Sequence, residues 1–174
     1  TKIAEPHQKQ LNKIIGKTKT PLVRYYIIET PMDNLITDAV MWKFKTDIAV
    51  SNGFRFCPPL IPDPKTGFAD ITREYLWSML PVNSEVKIAE VKGEQILTWL
   101  EKELENAFSK DATKRFGGWF VRFNGMKVTF TIANEKGKRV QEVLIKNEIL
   151  DPGKTYKMVA WEREGDPDDV LCRM

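Results

Sequence analysis

The stretch with the clearest capacity for chemistry is Asp47-Ile48-Ala49-Val50-Ser51-Asn52-Gly53-Phe54-Arg55. Its first half is a short apolar run of the kind that forms a buried strand. Its second half is a polar turn with one glycine, followed by an arginine. A strand ending in Ser-Asn-Gly can turn several backbone N–H groups into one concavity, and an arginine two residues past the glycine reaches the same space. That combination suits an anion with several oxygens, such as a carboxylate, phosphate or sulfonate. The same residues also fit an ordinary strand-to-loop turn carrying a surface arginine.

Other chemistries are poorly supplied. His7 is the single histidine, and Cys57 and Cys172 are the two cysteines. No HxH, HExxH or paired CxxC spacing occurs, so a metal site made from this chain's own ligands is not expected. A Ser-His-Asp or Cys-His arrangement would need His7 to fold back onto the core. Two cysteines do not make a disulfide framework. The 174 residues, 42% hydrophobic and 29% charged, are enough for one domain with a proper core. The formal net charge is +3, with Lys and Glu interspersed, and no basic run carries interleaved aromatics. Nucleic acid is therefore not an expected partner. No segment reaches the length of a membrane span, no signal peptide is visible, and the chain opens in mid-pattern as though cut from something longer.

The elements that must position the turn follow from periodicity. Leu11, Ile14 and Ile15, closed by Gly16, predict the end of a helix over residues 1–17. Leu22 to Ile28 is rich in β-formers and predicts a strand. Thr30-Pro31 opens a helix with Asp33 in its first turn and Leu35, Ile36, Ala39, Val40 and Trp42 as its inward stripe. The strand over Ile48–Val50 comes next, then a proline-rich loop over residues 56–70. Thr72 caps a short helix over Arg73–Met79, which Pro81 ends, and Glu85 to Val91 is a half-exposed strand. Gly93 opens a helix to Phe108 with Ile96, Leu97, Leu100, Leu104 and Phe108 inward and Glu101, Lys102, Glu103 and Glu105 solvated. Asn124-Gly125, between apolar runs, predicts a two-residue type I′ hairpin. Val140 to Ile145 and Tyr156 to Ala160 complete the strands, with turns at 134–139 and 151–153. Trp77, Trp99 and Trp119 are read as core or half-buried packing. The class is α+β: a mixed β-sheet with packed helices and a hairpin-rich C-terminal half.

The order of motifs resembles the C-terminal domain of the 5′-nucleotidase family. The resemblance is carried by Ile15-Gly16-Lys17-Thr18, by Glu29-Thr30-Pro31 running through Asp33-Asn34-Leu35-Ile36-Thr37-Asp38-Ala39, and by Asn52-Gly53-Phe54-Arg55. Ile71-Thr72, Leu80-Pro81, Val91-Lys92-Gly93, Phe116-Gly117-Gly118, Asn124-Gly125 and Tyr156-Lys157-Met158-Val159 continue it, so that it spans Leu11 to Ala160. Four stretches resemble the branch of SoxB-type thiosulfohydrolases of bacterial sulfur oxidation. They are Ser51 to Phe56, Ile71 to Leu76, Gly117 to Arg122, and Val159-Ala160-Trp161.

The resemblance implies a two-domain hydrolase. An N-terminal metallophosphoesterase domain of the same polypeptide would hold two divalent metal ions that activate water, with no cofactor in this chain. Residues 1–13 would be the remnant of the linking helix, and residues 14–174 the substrate-binding domain, inactive alone. Carried over by position, Arg55 would grip the substrate anion, with Asn52 and Gly53 shaping the turn. Gly117 and Gly118 would line the cleft or link helix to strand, and Asn34 would cap or line the first helix. Trp161 takes the place of a base-stacking aromatic. Asp166, placed with a gap, takes that of a late acidic cleft residue, or sits in a solvated acidic tail. Two departures disfavour a nucleobase: Val82 follows Pro81 where the family stacks an aromatic, and Ile28 stands where nucleotidases carry an arginine. Glu29-Thr30-Pro31, by contrast, reads like the nucleotidase branch. Three functions are thus in view: substrate recognition for nucleotide dephosphorylation, the same role toward a cysteine S-sulfonate on a carrier peptide, and a stand-alone binding module. By resemblance the protein is expected in the periplasm or at the cell surface.

Overall fold

The computed structural model describes residues 5–51, 58–80, 85–115 and 119–161. In chain order the elements are a 3-10 turn (Glu5–His7), α1 (Gln8–Leu11), β1 (Ile14–Thr18), α2 (Pro31–Phe44), β2 (Ile48–Val50), β3 (Ala69–Thr72) and α3 (Arg73–Met79). They continue with β4 (Val86–Lys92), α4 (Gly93–Phe108), a 3-10 turn (Ala112–Lys114), β5 (Phe123–Asn124), β6 (Met126–Phe130), β7 (Val140–Ile145), β8 (Glu148–Ile149) and β9 (Thr155–Trp161). The chain divides into two compact units: residues 1–25, 30–32 and 54–83, and residues 26–29, 33–53 and 84–174.

In the first unit, β1 pairs antiparallel with β3, with Gly16 opposite Ile71 and an irregularity between Ile14 and Gly16. Ile14 and Ile15 are therefore strand residues and not the end of a helix. The helical pattern is one turn long, and the β-branched pair finds a partner strand in β3. Thr72 caps α3 as expected: its extended backbone lets Oγ1 accept from the Tyr75 N–H at 3.1 Å. Arg24 is wholly buried and donates from Nη1 to the carbonyl of Met79 at the C-terminus of α3, 3.2 Å away. A cation there satisfies an orphan carbonyl and complements the helix dipole.

The strand expected over Leu22–Ile28 does not form. Leu22 makes a single bridge with Leu60, and Tyr25 to Ile28 are exposed and lie outside any strand. The run has β-propensity but no alternation, and propensity without a cross-strand partner does not make a strand.

The second unit carries a four-stranded sheet in the order β4-β9-β2-β5 and a three-stranded sheet in the order β6-β7-β8. β2 runs parallel to β9, and the remaining pairs are antiparallel. This is the mixed α+β architecture that the sequence implies. α4 lays Ile96, Trp99, Leu100 and Leu104 into a core shared with Ile48, Phe120, Val143 and Met158. Its polar face is less solvated than the charge pattern suggests. Glu101 Oε1 accepts from the Val140 N–H at 2.7 Å, and Glu105 pairs with the buried Arg139 at 2.6 Å, so both carboxylates fasten β7 to the helix. The Arg139 guanidinium is also the main reason that the Glu105 carboxyl lies below its ordinary value.

The Asn124-Gly125 pair does not close a hairpin. β5 pairs with β2 and β6 pairs with β7, so the dipeptide is a corner that carries the chain from one sheet to the other. Only Gly125 of the two has positive φ (88°), and a Cβ there would sit 2.0 Å from the carbonyl oxygen of Asp47. The two-residue hairpin loop in this region is Lys146-Asn147, both at positive φ between β7 and β8.

Asp47 is itself tied down. Its carboxylate takes the Lys146 ammonium at 2.5 Å and the Lys157 N–H at 2.9 Å. Burial pushes its carboxyl up, but these two bonds and the charges of Lys146 and Lys154 outweigh it, and the net direction is below the ordinary 3.8. A depressed carboxylate stabilises the fold above its unfolded value and loses that effect as pH falls through the folded one. The stability gap between the wild type and Asp47→Asn is therefore expected to be full above about pH 5 and to close at lower pH. Urea midpoints across pH check this.

Gly93, the first residue of α4, meets the turn over 151–154 so closely that a Cβ would lie 2.1 Å from the Asp151 carbonyl oxygen. The contact carries two bonds, Gly93 N–H to Lys154 O and Glu94 N–H to Pro152 O, each 3.0 Å. Gly93→Ala is expected to cost about 1–3 kcal/mol in urea unfolding, because a backbone carbonyl has to move. Gly153→Ala, where the nearest atom is 3.5 Å away, is expected to stay within about 0.5 kcal/mol.

Candidate functional site

β2 is buried along its whole length between β9 and β5, as an uncharged run of three apolar residues requires. It delivers Ser51, which is held twice. The Ser51 N–H donates to the Arg122 carbonyl at 2.9 Å, and its Oγ donates to Asp33 Oδ1 at 2.5 Å. The other oxygen of Asp33 lies 3.0 Å from Arg122 Nε, and the two side chains are 1% and 2% exposed. Arg122 also donates from Nη2 to the carbonyl of Tyr26 at 2.6 Å, and the Phe120 N–H donates to Ile27 O at 2.9 Å. One carboxylate and one guanidinium thus bind together four segments of the second unit: residues 26–29, the first turn of α2, the end of β2 and residues 120–122.

Asp33 belongs in the first turn of α2, where the helix dipole favours a carboxylate. The sequence reading placed Asp33 in that first turn without a partner and gave Arg122 no role of its own. A usable signal was present: Arg122 stands in Trp119-Phe120-Val121-Arg122-Phe123, and a charge inside an aromatic run needs a buried partner. The same geometry corrects the inward face of α2. Met32, Asp33, Ile36 and Thr37 are buried, whereas Leu35, Ala39 and Trp42 are exposed, Trp42 by 72%. Trp77 is likewise exposed, by 57%, while Trp99 is core.

Above this cluster lies a cavity of about 340 Å³ whose wall includes Ile28, Glu29, Asn34, Asp38, Phe123 and Met126. Asn34 donates to Glu29 Oε1 at 2.7 Å, and Asn124 donates to Asp38. The Asn34 amide therefore ties the start of α2 to the segment that precedes it. The cavity's lining mixes apolar side chains with the amides of Asn34 and Asn124 and the carboxylates of Glu29 and Asp38.

Of the residues singled out for binding, Trp161 is described. It ends β9 opposite Val86 and is 5% exposed. Asn52, Gly53, Arg55, Gly117, Gly118 and Asp166 lie outside the described residues, as do Val82 and both cysteines. Ser51 and Trp119 flank two of these stretches directly. Among the described residues, no three His, Cys, Asp or Glu side chains come together in a way that could hold a metal ion. No helix among them is long and apolar enough to cross a membrane.

The mixed sheet, the helix entered through Thr30-Pro31 and the buried strand β2 that leads into Ser51 define an α+β domain. The chain belongs to the family described as 5′-nucleotidase, C-terminal domain, which matches residues 14–162. It is 30% identical over 125 residues to the trifunctional nucleotide phosphoesterase protein YfkN of Bacillus subtilis, a match covering 68% of this chain and 8% of that protein. The fold is similar to that of a Thermus thermophilus sulfate thiohydrolase SoxB solved with glycerol, at a TM-score of 0.82 and 24% identity, over 91% of this chain and 29% of that one. It is also similar to a 5′-nucleotidase precursor from Thermus thermophilus, at a TM-score of 0.69 and 29% identity, over 90% and 31% of the two chains. The chain thus spans less than a third of the length of each of these proteins.

Breaking a buried ion pair from one side leaves an uncompensated charge, at a cost of about 3–5 kcal/mol. Arg122→Met is expected to lose that much in urea unfolding. The double variant Asp33→Leu with Arg122→Met is expected to lose clearly less than the sum of the single changes.

Proposed function

We propose that this chain is the substrate-recognition domain of a two-domain hydrolase of the 5′-nucleotidase family, and that it binds the phosphate of a nucleotide for dephosphorylation. The observation that carries the reading is the family match over residues 14–162, together with a buried central strand that runs directly into Ser51-Asn52-Gly53-Phe54-Arg55. In this reading Arg55 grips the anion as a charged fork. Asn52 and Gly53 shape the turn beside it, Gly117 and Gly118 line the cleft, and Trp161 and Asp166 contribute from the end of β9 onward. Two divalent metals belong to an N-terminal metallophosphoesterase domain of the same polypeptide, so this chain alone does not turn over substrate. Location in the periplasm or at the cell surface is part of the same proposal, supported by the precursor form of one structural relative.

A second reading has an observation of its own. The cavity wall carries Ile28 and the carboxylates of Glu29 and Asp38, and in the sequence Val82 stands where the family stacks an aromatic on the base. That lining suits an extended peptide bearing a sulfonate, the substrate of a thiosulfohydrolase acting on a carrier-protein cysteine.

Binding of AMP, adenosine and thiosulfate, followed by NMR shift perturbation at low salt, separates the two, since exposed anion sites are screened by salt. Saturable shifts with AMP and adenosine, with AMP binding lost in Arg55→Ala, are the result expected for a nucleotidase domain. Shifts with thiosulfate but not adenosine, lost in Arg55→Ala, would transfer the assignment to the sulfur branch. No shift with any of the three would overturn the anion site in this chain and leave a binding module of another kind.

A further inference from the structure

We propose that Asn124 is a site of spontaneous deamidation, that Asp38 holds the reaction in check, and that the product cannot coexist with the contact Asp38 makes.

The corner between the two sheets supplies the reacting groups. Asn124 ends β5 and Met126 begins β6, so the Gly125 N–H belongs to neither ladder. It donates instead to Oδ1 of Asn124 at 2.6 Å. A backbone nitrogen with no side chain of its own to shield it is thus held against the carboxamide whose carbon it can attack. Since a C=O bond is about 1.2 Å long, that nitrogen lies within about 3.8 Å of Cγ, near the separation at which reacting atoms meet. Asn124 is half-buried in the wall of the 340 Å³ cavity, which is roomy enough for water.

The reaction takes up water and releases ammonia. The Gly125 nitrogen bonds to Cγ of Asn124, the Cγ–Nδ2 bond breaks, and the Gly125 proton leaves with Nδ2 as ammonia. One water then opens the cyclic imide. Addition at Cγ gives aspartate. Addition at the main-chain carbonyl gives isoaspartate, whose chain runs through Cβ and is one methylene longer. Either product carries a new negative charge.

The fold acts on both ends of this reaction. Nδ2 of Asn124 donates to the carboxylate of Asp38 on α2. Ring closure must break that bond, because the carboxamide has to turn its face to the nitrogen. After reaction the same place holds two carboxylates, and like charges in contact repel. Isoaspartate adds a second conflict. The corner has no slack, since a Cβ on Gly125 would stand 2.0 Å from the Asp47 carbonyl oxygen. Asn124 pairs with Ala49 at the edge of the four-stranded sheet, so the product loosens β5 from β2.

Peptide mapping by mass spectrometry, on the folded chain held at mildly alkaline pH, reads conversion site by site. That resolution matters because a second pair, Asn52-Gly53, lies outside the described residues. Asn124 is expected to convert about tenfold faster than Asn106 or Asn147, neither of which precedes a glycine. Asp38→Ala is expected to quicken conversion at Asn124 about threefold and to leave Asn106 unchanged. Asp38→Asn keeps an acceptor oxygen and is expected to stay within about twofold of the wild type. Conversion at Asn124 no faster than at Asn106, or a rate indifferent to Asp38→Ala, would overturn the proposal.

A charge swap tests the product without waiting for it to form. At neutral pH, Asn124→Asp is expected to lower hydrogen-exchange protection across the β2–β5 pairing about tenfold, while the β4–β9 ladder keeps its rates. Adding Asp38→Asn restores one amide and one carboxylate at the contact, and protection is expected to return to within about threefold of the wild type. If the swap restores nothing, or Asn124→Asp changes nothing, the conflict between product and Asp38 is refuted. Loss of protection in every strand would equally refute it, since the effect assigned here is local.

Discussion

The buried pair of Asp33 and Arg122 constrains the second unit more than any other interaction. Two opposite charges taken out of water cost several kcal/mol each, and their attraction repays this only when geometry is good and the remaining donors and acceptors are filled. Here Ser51 Oγ fills one carboxylate oxygen, and Tyr26 O takes an arginine N–H. Each filler comes from a different segment, so the pair is stable only when all four segments are in place. Apolar packing tolerates small shifts; an ion pair at 1% and 2% exposure does not.

This constraint explains which parts of the fold were legible in the sequence. α4, β2 and β9 are recoverable because their burial follows a period: Ile96, Leu100 and Leu104 on a helix, Ile48 to Val50 and Met158 to Ala160 on strands that are buried on both faces. α2 is recoverable as a helix but not in its orientation. Apolar periodicity assigned Leu35 and Trp42 inward, yet the pair needs Asp33 inside, and Thr37 follows one turn later, donating to Asp33 O at 2.8 Å. With those two facing in, Leu35 and Trp42 face out. A hydrophobic pattern cannot report a buried charge, because it scores the charge as a surface residue.

The Asn124-Gly125 corner shows a different limit. Its composition correctly signals a residue at positive φ, since Gly125 adopts 88°. It does not say which strands the turn joins. Pairing is decided at a distance: Asp47 O packs against Gly125, and β5 pairs with β2 while β6 pairs with β7. Glu101 and Glu105 fail for a related reason. Their spacing on α4 is that of a solvated face, and only the arrival of Arg139 and the Val140 N–H gives them partners. The family was legible as an ordered set of motifs, while the role of Arg122 was not, because it depends on a helix far earlier in the chain.

Asp33, Arg122 and Ser51 are spent on one another and on backbone, so their role is to fix geometry among four segments. The cavity that Arg122 helps to line is a different environment. Ile28, Phe123 and Met126 give it apolar surface, and the carboxylates of Glu29 and Asp38 disfavour negative charge beside them. Each of those carboxylates accepts from an amide, Glu29 from Asn34 and Asp38 from Asn124. Asn34 and Asp38 stand on α2, the helix that also carries Asp33, so the element fixed by the buried pair also orders the cavity wall.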